Sequence, residues 1–309
     1  MDIRELKYGD YTAKINVTRG ANCISLVNRR YGAHILREPD YRNPDNPYLY
    51  GMPILFPVNR ISGGTFTFDG REYRLPVTEP ATGCCLHGDL HSLPFLVEKE
   101  CENEIVCARR SHGAYMGFPH DFSVRITYVL TDTGLMQKTE VTNHSAENMP
   151  NLLGFHTTFK LPFIADTAPG GIVVRVAVSD YVERNMENYL PTGKILPPDA
   201  VSEQLCNGTF DPCSVPLSRY YRAGEDGAIT LWDKTHGVEV CYENDAKFAW
   251  RLIYNGDAKE FICLEPQNCA VNCPNAAYTA GFAPVPYIAP GATEVYTSRI
   301  YCHEKGETV

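Results

Sequence analysis

The 309-residue chain has no run approaching the roughly 18 consecutive apolar residues of a membrane-spanning helix. Its first twenty residues, MDIRELKYGDYTAKINVTRG, lack the apolar core of a secretory signal. No block of roughly five or six like charges marks a charged tail. With a formal charge of −9, the chain also lacks the cationic excess that contact with a phosphate backbone requires. There is no Walker A loop and no dinucleotide-binding glycine fingerprint, so nothing points to a nucleotide cofactor. These absences predict a cytoplasmic protein with no membrane or nucleic-acid partner. Helical periodicity is nearly missing too: no segment carries a capped i, i+3, i+4, i+7 apolar face. Twelve cysteines in 309 residues are too few for a disulfide scaffold and are expected to be thiols in a reducing compartment.

What the sequence does contain is period-two alternation. GTFTFDGREYRLP places two β-rich runs around Asp69-Gly70, a strong hairpin signal. DFSVRITYVLTDTGLMQKTEVTNHS alternates through Val124, Ile126, Tyr128 and Leu130, turns at Thr133-Gly134 and resumes. GIVVRVAVSDYVE repeats the theme, GAITLWDKTHGVEVCYEN turns near His236-Gly237, KFAWRLIYNGDAKEFICLEP turns about Asn255-Gly256, and TEVYTSRIYC is a last strand. Many short strands joined by regular turns predict an all-β sandwich or barrel. A chain this long can bury roughly three quarters of its unfolded surface, and no linker or repeat divides it, so one domain over residues 1–309 is expected. Residues 38–51 and 185–214 lack strand pattern. Loops that long are often functional or wrap an edge.

Four places carry candidate chemistry. In FICLEPQN (261–268), Glu265 interrupts a buried strand. Desolvation would raise its pKa, and an Arg or a protonated His nearby would offset that. The residue reads either as half of a structural ion pair or as a general base. His156, in NLLGFHTTFKLP, shares a face with Leu152, Gly154 and Thr158 if the strand is regular. It reads as a satisfied core histidine or as the wall of a ligand pocket with space in front of the ring. CCLHGDLH (84–91) offers Cys84, Cys85, His87 and His91 to a metal, but adjacent cysteines rarely chelate one ion, so no metal site is assigned. Buried thiols on a turn are one reading. The other is that Gly88 lets a ligand approach the backbone beside His87. Arg60, ahead of a glycine pair in PILFPVNRISGG, is unremarkable alone.

Together these segments resemble the aldose 1-epimerases, or galactose mutarotases. The matching text is GMPILFPVNRISGGTFTFDGREYRLP, LHGDLHSLPF, FPHDFSVRITYVL, VTNHSAENMPNLLGFHTTFKLP and FICLEPQN, in that order between residues 51 and 268. The resemblance implies a large antiparallel β-sandwich with an open sugar-binding cleft. It further implies cofactor-free interconversion of the α and β anomers of a free aldose or sugar phosphate. By position it implies Glu265 as general base, His156 as general acid, and His87 and Arg60 as substrate-binding residues. The chain departs from the pattern at Thr157-Thr158-Phe159, where many relatives have Pro-Tyr-Phe. It departs again in VPLSRYYRAG, the nearest stretch to a later segment where several relatives have a sugar-binding aspartate, which offers Ser218 instead. The alternatives are a sugar-binding or regulatory sandwich without turnover and, further off, a glycoside hydrolase. A hydrolase would need a second carboxylate facing Glu265, for which Asp89 and Asp121 are available.

Overall fold

A computed structural model describes residues 1–40, 46–225, 227, 229–276 and 284–306. Antiparallel pairing organises almost all of it. Two large sheets face each other. The first runs, in spatial order, through Leu96–Glu100, Glu104–His112, Asp121–Thr131, Gly134–Asn143, Thr293–Glu304, Val238–Asn244, Ile229–Asp233 and Ile172–Val176. The second runs through Pro191–Leu196, Val178–Arg184, Ser218–Ala223, Trp250–Tyr254, Phe261–Gln267, Gly154–Phe155 and Ile54–Leu55, with Thr158–Lys160 also on Phe261–Gln267. A separate four-stranded sheet uses residues 3–34. It is fastened to the first large sheet where the Tyr11 hydroxyl accepts the Cys302 amide at 2.9 Å. The fold is thus the antiparallel β-sandwich expected. One cluster of buried apolar side chains extends from Leu6 to Cys302.

Alternation decides the faces. On Val238–Asn244, Val240 and Tyr242 point between the sheets, and Tyr242 meets Phe159 of the second sheet at 5.5 Å between ring centroids. Glu239 and Cys241 therefore lie on the side turned away from the second sheet. On Phe261–Gln267, Ile262 and Leu264 face the interior, which leaves Phe261, Cys263 and Glu265 on the opposite face. GIVVRVAVSDYVE, a single alternating run in sequence, crosses from one sheet to the other. Ile172–Val176 pairs in the first and Val178–Arg184 in the second, with Ala177 as the corner.

The turns largely follow their chemistry. Asp69 and Gly70 both adopt positive φ (47° and 75°), closing Thr65–Phe68 onto Arg71–Arg74. The Asp121–Thr131 hairpin pairs Thr131 with Gly134, so its two-residue turn is Asp132-Thr133, one position earlier than expected. The segment 185–214 is not a loop throughout. It contains the strand Pro191–Leu196 and an α-helix, α1, over Ala200–Asn207. The Asp199 side chain accepts the Ser202 amide as N-cap, and Gly208 ends the helix in the left-handed region. Among the described residues no helix is long and apolar enough to cross a membrane. All twelve cysteines are free thiols.

Candidate active site

The face of the second sheet turned away from the first builds the site by register. Gly154 pairs with Gln267 and Thr158 with Cys263 in one antiparallel register, which sets His156 across from Glu265. The Thr157 carbonyl accepts the Leu264 amide at 2.9 Å and holds that register between the two. His156 Nε2 lies 3.2 Å from Glu265 Oε1. The contact is close enough for an ion pair but not aligned as a hydrogen bond, so Oε1 and His156 Nδ1 both lack a hydrogen-bond partner. Glu265 is fully buried and His156 is 5% exposed.

Glu265 is oriented from its other oxygen. Gln267 Nε2 donates to Oε2 at 3.0 Å. The Gln267 side-chain carbonyl in turn accepts from Asn59 Nδ2 at 3.2 Å, and Tyr220 Oη, which donates to the Cys269 carbonyl at 2.5 Å, lies 2.9 Å from the same oxygen. Oε1 is left facing His156. Burial pushes the Glu265 carboxyl well above its usual range, outweighing the Gln267 hydrogen bond and the charges of Arg184 and Arg60. Burial likewise holds His156 down to about 3. Both directions favour the uncharged pair, carboxylic acid and neutral imidazole, over the ion pair.

His87 meets His156 edge-on at 5.4 Å. Its Nδ1 accepts the Asn59 amide at 3.3 Å, so Nε2 carries the proton. Burial and the neighbouring His156, Arg60 and His91 keep the ring neutral. The adjacent Gly88 has a backbone role of its own. Its Cβ position falls 1.8 Å from the Phe56 carbonyl oxygen at φ +61°, so the glycine is required by the backbone of Phe56. Gly154 has a similar role. A Cβ there would sit 2.6 Å from Val58 Cγ2, so its missing side chain seats Val58 and Gln267 instead of opening room before His156. The cysteines of CCLHGDLH are buried thiols. Among the described residues they do not converge with His87 and His91 on one point.

Arg60 is fixed by a bidentate pair with Glu79, Nε–Oε2 2.7 Å and Nη2–Oε1 2.8 Å. Its guanidinium lies 4.6 Å over the Tyr189 ring. The two long loops deliver aromatics that sequence reading did not single out. Tyr189 comes from 185–214. Tyr48 comes from a 3₁₀ turn over Pro47–Leu49 and touches His87 at 4.7 Å, His91 at 4.6 Å and His156 at 5.9 Å. Arg184 was also missed. Val182 pairs with Tyr220, Tyr220 with Leu252, and Leu252 with Glu265, so Arg184 shares the face of Glu265. Its Nη2 donates to the Ser218 carbonyl at 2.7 Å and hydroxyl at 3.0 Å. Ser218 is thus on the cleft face, occupied by an arginine. Asp121 is not available to this site, since it pairs with Arg110 at the surface of the first sheet.

Cys263 completes the floor. Its thiol lies within 4.8 Å of the His156 and Glu265 ligand atoms, and burial keeps it protonated. The arrangement is a buried acid–base pair with the Tyr48 ring against His156 and two arginines, Arg60 and Arg184, beside it. The pair can exchange protons with a polar ligand that reaches both Oε1 and Nε2.

The comparisons place this antiparallel sandwich in a family. Residues 4–281 match the aldose 1-epimerase family, and the chain belongs to that family. It is 30% identical to galactose mutarotase of Sus scrofa over 283 residues, which cover 82% of this chain and 78% of that protein. An uncharacterized Escherichia coli protein, YihR, is 27% identical over 88% of this chain and 85% of its own. Among solved structures, a galactose mutarotase-like protein from Clostridium acetobutylicum superposes with a TM-score of 0.89 at 26% identity, covering 98% of this chain and 99% of that one. A GalM/aldose epimerase homologue from C. elegans, at 16% identity and TM-score 0.77 over 98% of this chain and 99% of its own, shares the fold.

Proposed function

We propose that the chain is a mutarotase that interconverts the α and β anomers of a free aldose or aldose phosphate, with Glu265 and His156 as the proton-transfer pair. The carrying observation is the placement of those two side chains opposite each other, 3.2 Å apart, on the floor of the cleft. Ring opening takes a proton from the anomeric hydroxyl and delivers one to the ring oxygen. Rotation about C1–C2 and reclosure reverse both transfers. One proton enters the pair as one leaves, so the pair holds a single proton throughout. In the proposed assignment, Glu265 Oε1 takes the anomeric proton and His156 Nε2 supplies the ring oxygen, each worth roughly 10²–10⁴-fold. That route draws on the charged tautomer of the pair. Sugar hydroxyls donating to Oε1 supply the hydrogen bonds that favour a carboxylate and that the unpartnered oxygen otherwise lacks.

In this reading His87 Nε2–H and the Arg60 guanidinium donate to sugar hydroxyls. Arg60 is held rigid by Glu79, and Tyr48 and Tyr189 offer ring faces to the apolar side of a pyranose. The test is NMR saturation exchange or polarimetry on a panel of free aldoses and aldose phosphates. Turnover of at least one sugar is the expected result. Binding without exchange would assign the chain to the sugar-binding alternative.

A further inference from the structure

Far from the cleft, on the face of the first sheet turned away from the second, three side chains of different chemistry converge. Glu239 and Cys241 lie on Val238–Asn244, and His303 lies on Thr293–Glu304, directly across from Glu239 in the antiparallel register. His303 Nε2 is 3.4 Å from Cys241 Sγ and 3.7 Å from Glu239 Oε2, and all three ligand atoms fall within 4.8 Å of one another. Glu239 and Cys241 are nine-tenths buried or more although they face outward. We propose that Glu239, Cys241 and His303 form a zinc-binding site that joins the strand 293–304 to the strand 238–244.

Three observations support a metal over a simple ion pair. Tetrahedral zinc, with Zn–S about 2.3 Å and Zn–N or Zn–O about 2.0–2.1 Å, holds its ligand atoms about 3.3–3.6 Å apart, close to the two measured separations. The imidazole is presented in the ligating tautomer, because Nδ1 donates to the Glu304 carbonyl at 2.8 Å and turns the Nε2 lone pair towards Cys241 and Glu239. The carboxylate is supported in the same way, with Lys305 Nζ hydrogen-bonded to Oε1 and Oε2 left to the cluster. A thiolate, an imidazole and a carboxylate are the donor set of a borderline-soft divalent ion, and three protein ligands leave a fourth position for water. Binding replaces the Cys241 S–H bond with an S–Zn bond and releases that proton to solvent, so uptake strengthens with rising pH.

The experiment uses Co²⁺ as the probe on the full chain, with thiols kept reduced by a phosphine. The expected result is one equivalent bound, with thiolate-to-cobalt absorption in the near ultraviolet, intense visible bands of a four-coordinate ion, and displacement by Zn²⁺. Cys241→Ser and His303→Gln should each remove the thiolate-linked spectrum and weaken binding at least about tenfold. Cys263→Ser should leave it intact, which separates this site from the donors of the cleft. No thiolate band in the unsubstituted chain, its persistence in folded Cys241→Ser or His303→Gln, or its loss in folded Cys263→Ser would overturn the proposal.

Discussion

At the scale of single residues, the chemistry rests on how one proton is shared. Glu265→Gln keeps the size of the side chain and removes the basic oxygen. Exchange on an active sugar should fall by about 10²-fold or more, with affinity, determined separately by titration calorimetry, changing much less. His156→Asn should act similarly. Arg60→Met should weaken binding more than it slows turnover, because the proposed role of the guanidinium is to hold sugar hydroxyls and not the reacting atoms; a loss confined to kcat would contradict that. The pH profile follows from the pair titrating as a unit. A second proton enters only as pH falls to about 3, where His156 protonates. The last proton leaves as pH rises through the elevated value of Glu265. Exchange measured as kcat/KM should therefore rise from about pH 3 and fall on the alkaline side. The acid limb belongs to the histidine and the alkaline limb to the carboxyl, the reverse of the order of their ordinary values.

At the scale of elements, close backbone approach matters as much as side-chain chemistry. A Cβ on Gly88 would meet the Phe56 carbonyl at 1.8 Å in a left-handed conformation, so Gly88→Ala must displace one strand or the other. A loss of about 3 kcal/mol or more is expected, read as a lowered urea midpoint. Strand patterning was legible because period-two alternation and turn pairs such as Asp69-Gly70 are local signals. Glu265 and His156 stood out because each is a polar residue inside an apolar run. What was not legible depends on neighbours remote in sequence. Arg184 reaches the cleft only through pairing across Tyr220 and Leu252, and Tyr48 and Tyr189 arrive on loops whose path no periodicity records. Helix α1 is too short for an apolar stripe to register. Its signature was the Asp199 cap and Gly208, eight residues of helix apart. The strand 191–196 is largely exposed at a sheet edge, so no alternation marks it.

At the scale of the whole molecule, burying histidines sets the response to acid. His87 is held well below its ordinary value and His91 down to about 4, in both cases chiefly by burial. A depressed histidine contributes stability that is present above about pH 6.5 and is lost as pH falls towards its folded value. The Glu265–His156 pair holds one proton folded. Unfolded, near pH 5.5, its two members also hold about one, so the pair nearly cancels. Two net protons from His87 and His91, with buried His120 lowered by burial in the same sense, then give a fall of about 2–3 kcal/mol per pH unit or more between about pH 6 and pH 5. Urea unfolding across that range should show it, and His91→Gln should flatten the slope by about one proton; an unchanged slope would show that the ring is not buried neutral. The order of strands has a different kind of consequence. Thr293–Glu304 lies between Gly134–Asn143 and Val238–Asn244, so a strand synthesised after both of its neighbours is interior to its sheet. During translation the strands on either side emerge with their inner edges unpaired, and no local hairpin can cover them. The nascent polypeptide must wait, with two adhesive edges open, until residues 293–304 clear the ribosome. That interval is where a holding chaperone would be needed and where a premature stop would do the most damage.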